Sequence, residues 1–258
     1  VEHDIKTGAL TFERYFREFD LLSVYGSTQY LNRDSYYGAN RSLDSYGATT
    51  DLTYNAGIQY KARFAGSSLI AGAELTGGRL NDKKLGYPDF SGIVINDDTI
   101  TYLPHTENTV ITNQLSFTKA LFMQYEAIIG KASLVLGGRY DNYNIRDLES
   151  EEGTRPGHVF SPRVSLRYEI TPALQGRLSY SKGFRAPQIF DEDLHIETSG
   201  SRQVINKNDP DLKEETSHSF MASIDMNSLI GTVRTGLLVE GFYTRLKDPF
   251  VNDIGVPD

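Results

Sequence analysis

The stretch that decides the fold is FSPRVSLRYEITPALQGRLSYSKGF, residues 160–184. From 162 to 170, Val164, Leu166, Tyr168 and Ile170 fall on one side of a two-residue period; Arg163, Ser165, Arg167 and Glu169 fall on the other. After Thr171 and Pro172 the period resumes, with Leu174, Gly176, Leu178 and Tyr180 opposing Gln175, Arg177, Ser179 and Ser181. Successive side chains of an extended chain point to opposite faces, so this is the pattern of two strands joined by a tight turn. Each strand has one apolar and one polar face. Beyond Phe184 the chain changes character. Residues 185–195, RAPQIFDEDLH, are acidic and aperiodic, and Pro187 has no N–H to give to a ladder, so a strand ends here in a long loop.

The same period recurs outward from this hairpin. Leu52, Tyr54, Ala56, Ile58 and Tyr60 oppose Thr53, Asn55, Gln59 and Lys61; Phe220, Ala222, Ile224 and Met226 oppose Ser219, Ser223 and Asp225. In all, the pattern predicts about ten strands, near 8–16, 20–32, 48–62, 68–81, 112–128, 133–146, 159–170, 173–184, 215–227 and 232–246. Several run to a dozen residues or more, whereas soluble strands average about five or six and membrane-crossing strands need about 9–11. The connections alternate in length. Short ones fall at 17–19, 63–67, 129–132, 171–172 and 227–231, and long ones at 33–47, 82–111, 147–158 and 185–214. In an up-and-down sheet alternate connections share one end, so one end is trimmed to tight turns and the other carries long loops. Outer-membrane barrels have this asymmetry, and a soluble sandwich gives no reason for it.

Composition agrees. Tyr (16), Phe (13) and Gly (23) are plentiful, and hydrophobic residues are only 39% of 258; this mix favours strands over helices. A net charge of −8 disfavours a general nucleic-acid binder. Without cysteine there is no disulfide framework and no thiolate metal site. No segment approaches the ~20 apolar residues of a membrane-spanning helix, which does not exclude a barrel. The opening residues VEHDIKTGALTFERYF do not read as a signal peptide. Tyr140, Tyr143, Phe160, Phe184, Phe242 and Tyr243 lie near strand ends, where an interfacial aromatic girdle would place them.

Several motifs are specific enough to name a family. Residues 160–194, FSPRVSLRYEITPALQGRLSYSKGFRAPQIFDEDL, resemble the barrel of TonB-dependent outer-membrane receptors. In that family an S-P-R strand (here Ser161, Pro162, Arg163) descends to a periplasmic turn. The next strand rises to a G-[FY]-R-A-P motif (Gly183, Phe184, Arg185, Ala186, Pro187) below a long extracellular loop. Residues 208–226, NDPDLKEETSHSFMASIDM, are similar to the family's N-P-x-L-x-x-E descent, with Leu212, Glu214 and Glu215. Residues 121–143, LFMQYEAIIGKASLVLGGRYDNY, resemble a hairpin ending in G-x-R-Y-D, supplied by Gly138, Arg139, Tyr140 and Asp141. The motifs lie within 121–247, and residues 1–120 fit through strand pattern.

The resemblance implies an all-β fold: an antiparallel up-and-down transmembrane β-barrel segment with short periplasmic turns and long extracellular loops. Because the family's barrel has about 22 strands around a plugged lumen, residues 1–258 are expected to be a mid-to-late part of a barrel, with no plug domain and no TonB box visible. The strands near 8–16 and 232–246 should then be open edges, or pair with each other if the sheet closes alone. The implied function is that of a receptor of the bacterial outer membrane, not an enzyme. It takes up a bulky nutrient such as a ferric siderophore, haem or cobalamin, with the plug domain, TonB and outer-membrane lipid as partners. A protease-like barrel enzyme and a passive pore or adhesin remain as alternatives.

The polar strand faces hold Glu74, Glu126, Arg139, Arg163, Arg167, Glu169, Arg177, Asp225, Arg234 and Glu240, the lumenal set if the sheet is a barrel wall. The loop after Pro187 concentrates Asp191, Glu192, Asp193, His195, Glu197 and Arg202, the candidate ligand-binding residues, since loops on a rigid scaffold commonly carry binding. Their spacing matches neither an EF-hand nor a zinc motif, so no metal or cofactor site is expected. His105 and His158 lie in long loops on the same side as His195 and read as surface residues. Ser199-Gly200-Ser201 is no nucleophile elbow. The glycine pairs Gly77-Gly78 and Gly137-Gly138 read as places where a neighbour approaches a strand closely.

Overall fold

The computed structural model describes residues 1–17, 19–36, 43, 45–149, 154–187 and 212–250. The strands are β1 (Glu2–Phe16), β2 (Asp20–Tyr36), β3 (Tyr46–Phe64), β4 (Ser67–Leu85), β5 (Val94–Asn96), β6 (Thr99–Tyr102), β7 (Thr109–Ile129), β8 (Ala132–Asp147), β9 (Thr154–Thr171), β10 (Leu174–Arg185), β11 (Glu215–Ile230) and β12 (Val233–Lys247). Ten of them form one antiparallel sheet in chain order, while β5 and β6 make a separate two-stranded sheet within the β4–β7 connection. The up-and-down topology expected from the sequence is present, and β1 and β12 are the two edges, each paired on one side only.

The strands run longer than the two-residue period alone indicated, mainly toward the loop end: β2 continues to Tyr36 and β4 to Leu85. The added segments, such as NRDSY at 32–36 and NDKKL at 81–85, are largely polar on both faces. A strand that rises above an apolar band meets water on both sides and has no reason to alternate. At the other end the chain turns tightly, with left-handed φ at Gly130 (60°) and Gly231 (64°), and at Arg17 (55°) where no glycine is present.

Register puts all ten charged residues of the polar set on one face. Glu74 lies opposite Ala120, which lies opposite Asp141; Arg167 is opposite Arg177; Asp225 and Glu240 follow on β11 and β12. This face is covered over β2–β8, where Ser23, Thr49, Gln114 and Asp141 are buried, as is Ser223 on β11, while Arg163, Arg167, Glu169, Arg177, Arg234 and Glu240 on β9, β10 and β12 stand exposed. The apolar face is bare. Leu121 is 63% exposed and Leu178 59%, and the buried apolar residues among those described are Ala62, Ala120, Tyr143, Ile145 and Val159. A sandwich would bury the apolar face under a second layer; here polar is inside and apolar outside, the arrangement of a wall with lipid behind it. Among the described residues no helix is long and apolar enough to cross a membrane.

The girdle expectation holds in part. Tyr140, Phe160 and Tyr243 stand exposed on the outer face, whereas Tyr143 is buried on the inner face and Phe184 stacks on it at 5.9 Å. Closeness to a strand end does not say which face a ring occupies: Tyr143 shares the parity of Arg139 and Asp141, whereas Phe184 shares that of Leu178 and Tyr180 and reaches Tyr143 beyond the last β9–β10 pair, Ser181 with Arg163. The glycine pairs serve close approach as expected: the Tyr54 ring lies over Gly77 and the Phe160 ring over Gly138.

Candidate functional site: the inner wall and the loops above it

At mid-height the inner wall carries a network that spans five strands. Tyr25 on β2 donates through its hydroxyl to Glu74 Oε2 on β4 at 2.9 Å. Arg139 on β8 donates to Glu74 Oε1 at 2.9 Å and to Asp141 Oδ1 at 2.8 Å. These reaches depend on small residues in the strands between. A Cβ at Gly57 on β3 would come within 2.4 Å of the Tyr25 ring, and Arg139 crosses β7 beside buried Ala120. Asp141 is 2% exposed, and its Oδ2, like the Oγ of nearby Ser161, is buried without a hydrogen-bond partner among the described residues. One guanidinium thus holds two carboxylates in a rigid row.

Nearer the turn end the wall becomes cationic. Arg167 and Arg177 are directly opposite across β9 and β10, with Arg163 opposite Ser181 on the same face. None of these three arginines has an ion pair among the described residues, and all are exposed. The nearby acids are engaged elsewhere: Asp225 accepts from Gln175 at 2.7 Å and Glu126 from Ser133 at 3.1 Å. Like charges directly opposite one another weaken a sheet, and an anionic group in front of this wall would relieve the repulsion.

At the loop end the strand tips on either side of residues 188–211 are fastened to the wall. The Tyr143 ring passes over Gly157, where a Cβ would lie 2.1 Å from it, and its hydroxyl donates to Glu214 at 3.0 Å. Phe184 and Ala186 pack against Tyr143, Ile145 and Val159. Arg185 approaches Glu215 at 3.7 Å and lies over the Phe250 ring at 4.6 Å. The candidate residues Asp191, Glu192, Asp193, His195, Glu197 and Arg202 themselves lie outside the described residues.

The 86–108 connection, read from sequence as one long loop, is an ordered hairpin. Asp97 and Asp98 both take left-handed φ (49° and 59°) between β5 and β6, the requirement of a tight two-residue hairpin turn. A bridge between Pro88 and His105 closes its base, and His105 Nδ1 lies 2.8 Å from the Gly86 carbonyl oxygen. The hydroxyl and the backbone N–H of Ser91 both donate to Asp89, and these bonds hold its carboxyl below the usual carboxylate range. The hairpin displays Tyr87, Phe90, Ile95, Ile100 and Tyr102 to solvent. Sequence reading missed this apolar surface, although VINDDTITY at 94–102 carries the signal: β-branched residues flanking two aspartates.

Among the described residues the inner wall and the 86–108 hairpin offer hydrogen-bonding, cationic and aromatic groups. Three histidines contact aromatic residues: His105 packs on Tyr46, His158 on Tyr140, and His218 Nδ1 lies 2.9 Å from the Tyr180 hydroxyl. Among the described residues no group of three His, Asp or Glu side chains is placed to hold a metal ion.

Comparison with known proteins agrees with this geometry. Residues 2–258 match the family described as TonB dependent receptor-like, beta-barrel. The chain belongs to that family of bacterial outer-membrane barrels, whose members are transporters and not enzymes. A search of curated proteins finds no match. Among solved structures, the FrpB iron transporter from Neisseria meningitidis (F3-3 variant) aligns with a TM-score of 0.68 at 17% identity, covering 96% of this chain and 36% of that one. FpvA of P. aeruginosa, bound to a heterologous pyoverdine with iron, gives 0.60 at 15% identity, covering 93% and 33%. The ferric yersiniabactin uptake receptor FyuA from Yersinia pestis gives 0.62 at 12%, covering 96% and 36%. The chain therefore spans about a third of the length of these structures, and at such identities the likeness is one of fold.

Proposed function

We propose that this barrel wall belongs to a receptor that captures a bulky iron chelate of ferric-siderophore type from outside the cell and admits it in a TonB-dependent step. The observation that carries the reading is the inside-out wall: a polar, partly cationic inner face, a bare apolar outer face, and an ordered hairpin at 86–108 at one end. Of the solved relatives whose names give a cargo, FrpB, FpvA and FyuA name iron or an iron chelate and OprC names copper, so the weight of the names supports iron; haem and cobalamin are secondary candidates that the same family fold would accommodate. External loops supply the first contact. Asp191, Glu192, Asp193, His195, Glu197 and Arg202, on a loop fastened at both ends, are proposed to touch the ligand together with the aromatic hairpin at 86–108. Passage then follows rearrangement of a plug domain driven by TonB, both being proposed partners of the full receptor.

A panel of radiolabelled ferric siderophores, haem and cobalamin, applied to the full-length receptor in cells lacking their own transporters, tests the reading. Saturable uptake of one ferric chelate that stops when TonB is removed is the expected result. Uptake of none of the panel, or uptake indifferent to TonB, would overturn it. Alanine at Asp191, Asp193 and His195 together with unchanged affinity would remove that loop from the binding site.

A further inference from the structure

The inner wall treats its arginines in two ways. Arg139 is neutralised from within the wall, by Glu74 at 2.9 Å and Asp141 at 2.8 Å. Arg163, Arg167 and Arg177 stand exposed on the same face with no ion pair among the described residues. Two acids on this part of the wall are already engaged. Asp225 accepts from Gln175 at 2.7 Å and from Asn227 at 2.8 Å, and Glu126 accepts from Ser133 at 3.1 Å. The exposed carboxylates of the neighbourhood, Glu169 opposite Gln175 and Glu240 opposite Ser223, lie to the turn side and the β12 side of the arginines and bound the cationic area. The three arginines are on β9 and β10, each paired on both sides, so their exposure does not come from an open edge.

Spacing sets the size of what fits. Arg163 and Arg167 are four residues apart, about 13 Å along the strand, and Arg177 faces Arg167 about 5 Å across the ladder. A single phosphate or sulfate cannot bridge the longer span, whereas an anion with charge on several separated edges engages both ends. Ser165 and Ser179, directly opposite each other between the two arginine rows, and Ser181 beside Arg163 add hydroxyl donors. Gly137, opposite Arg163, carries no side chain to crowd the approach. At Arg139 the wall supplies a permanent partner; a guanidinium row left open suits an anion that arrives and leaves. Given the receptor reading above, we infer that Arg163, Arg167 and Arg177 form a lumenal way-station that selects net-negative ferric chelates, those presenting carboxylate or catecholate oxygens on more than one edge, over neutral and cationic hydroxamate chelates. The guanidinium fork matches such paired oxygens and stays charged at any physiological pH. Each contact is half-solvated and therefore weak enough to release. The row lies below the loops, so it acts on passage after capture.

The experiment uses the full-length receptor in cells lacking their own transporters and three radiolabelled ferric chelates of similar size: a net-negative tris-catecholate, a neutral tris-hydroxamate and a cationic tris-hydroxamate. Expected is TonB-dependent uptake of the anionic chelate in preference to the other two. Arg167→Gln combined with Arg177→Gln should lower that uptake roughly tenfold, the effect of losing two half-solvated ion pairs, while binding of the chelate at the cell surface is little changed. Arg167→Lys combined with Arg177→Lys keeps the charge and should recover part of the uptake. Heat-modifiable migration on a gel verifies that each variant is a folded barrel. Unchanged uptake of the anion by the folded glutamine variant would overturn the inference, as would a parallel loss of surface binding. An acidic segment of a plug domain is the other occupant such a wall could take; the glutamine variant would then admit a large antibiotic without TonB, and that result too would overturn it. Uptake of the neutral or cationic chelate alone would overturn the inference and leave the receptor reading standing, whereas uptake of no chelate would overturn both.

Discussion

Arg139 neutralises two acids, and the weight of that arrangement comes from their burial: the side chains of Glu74 and Asp141 are 20% and 3% exposed. Removing the guanidinium leaves both carboxylates in a poorly solvated wall. Arg139→Ala is expected to cost about 2–4 kcal/mol, toward the lower side of what a broken buried pair costs because Arg139 itself is partly exposed. Glu74→Gln should cost less, about 1 kcal/mol, since the amide still accepts from Tyr25 or Arg139. The temperature at which the barrel loses its compact gel mobility reads both, and equal small shifts would show that the row carries no weight. Gly157→Val pushes the Tyr143 ring off its strand and should loosen Glu214, seen as faster proteolysis in 188–211 with the barrel intact. The sequence made the faces of Glu74 and Arg139 legible through the two-residue period. It did not reveal their pairing, because the partners are 65 positions apart with a whole strand between them. Nor did it reveal that Tyr143 and Phe184 turn inward and stack.

Among elements, the β9–β10 hairpin that opened the sequence reading shows a stability sacrifice. Arg167 facing Arg177 opposes like charges where a mixed pair would favour the sheet by about 0.2–1 kcal/mol. Arg167→Glu should therefore raise the unfolding temperature slightly while lowering uptake of an anionic chelate severalfold; a variant that keeps full uptake would deny these arginines a role in passage. The 86–108 hairpin has its own pH signature. The Asp89 carboxyl titrates below its ordinary range, so its contribution is complete above that range and disappears as pH falls through the lowered value. Protection of this loop from protease should hold from neutral pH to about pH 4 and fail in stronger acid, while Asp89→Asn should show little of this dependence. Strand number, order and faces were readable because each strand meets lipid on one side and a polar interior on the other. The hairpin was not, because its short strands meet solvent on both sides and leave no alternation to read.

For the whole molecule, the separation of wall from loops makes a clear expectation. Replacing 188–211 with a short glycine-serine link in the full receptor should leave barrel assembly unchanged and abolish capture of the ligand, measured as equal gel mobility with lost cell-surface binding. The proposal that residues 1–258 form part of one barrel predicts in addition that no stable proteolytic boundary falls within β1–β12. The fastening of that loop has a historical consequence. Because Tyr143, Glu214 and Phe184 fix both tips, the residues between them can change without moving the strands that bear them. Under the proposed role of 188–211 in binding, a change of cargo asks for new residues only between two fixed tips, and the wall can be inherited unaltered.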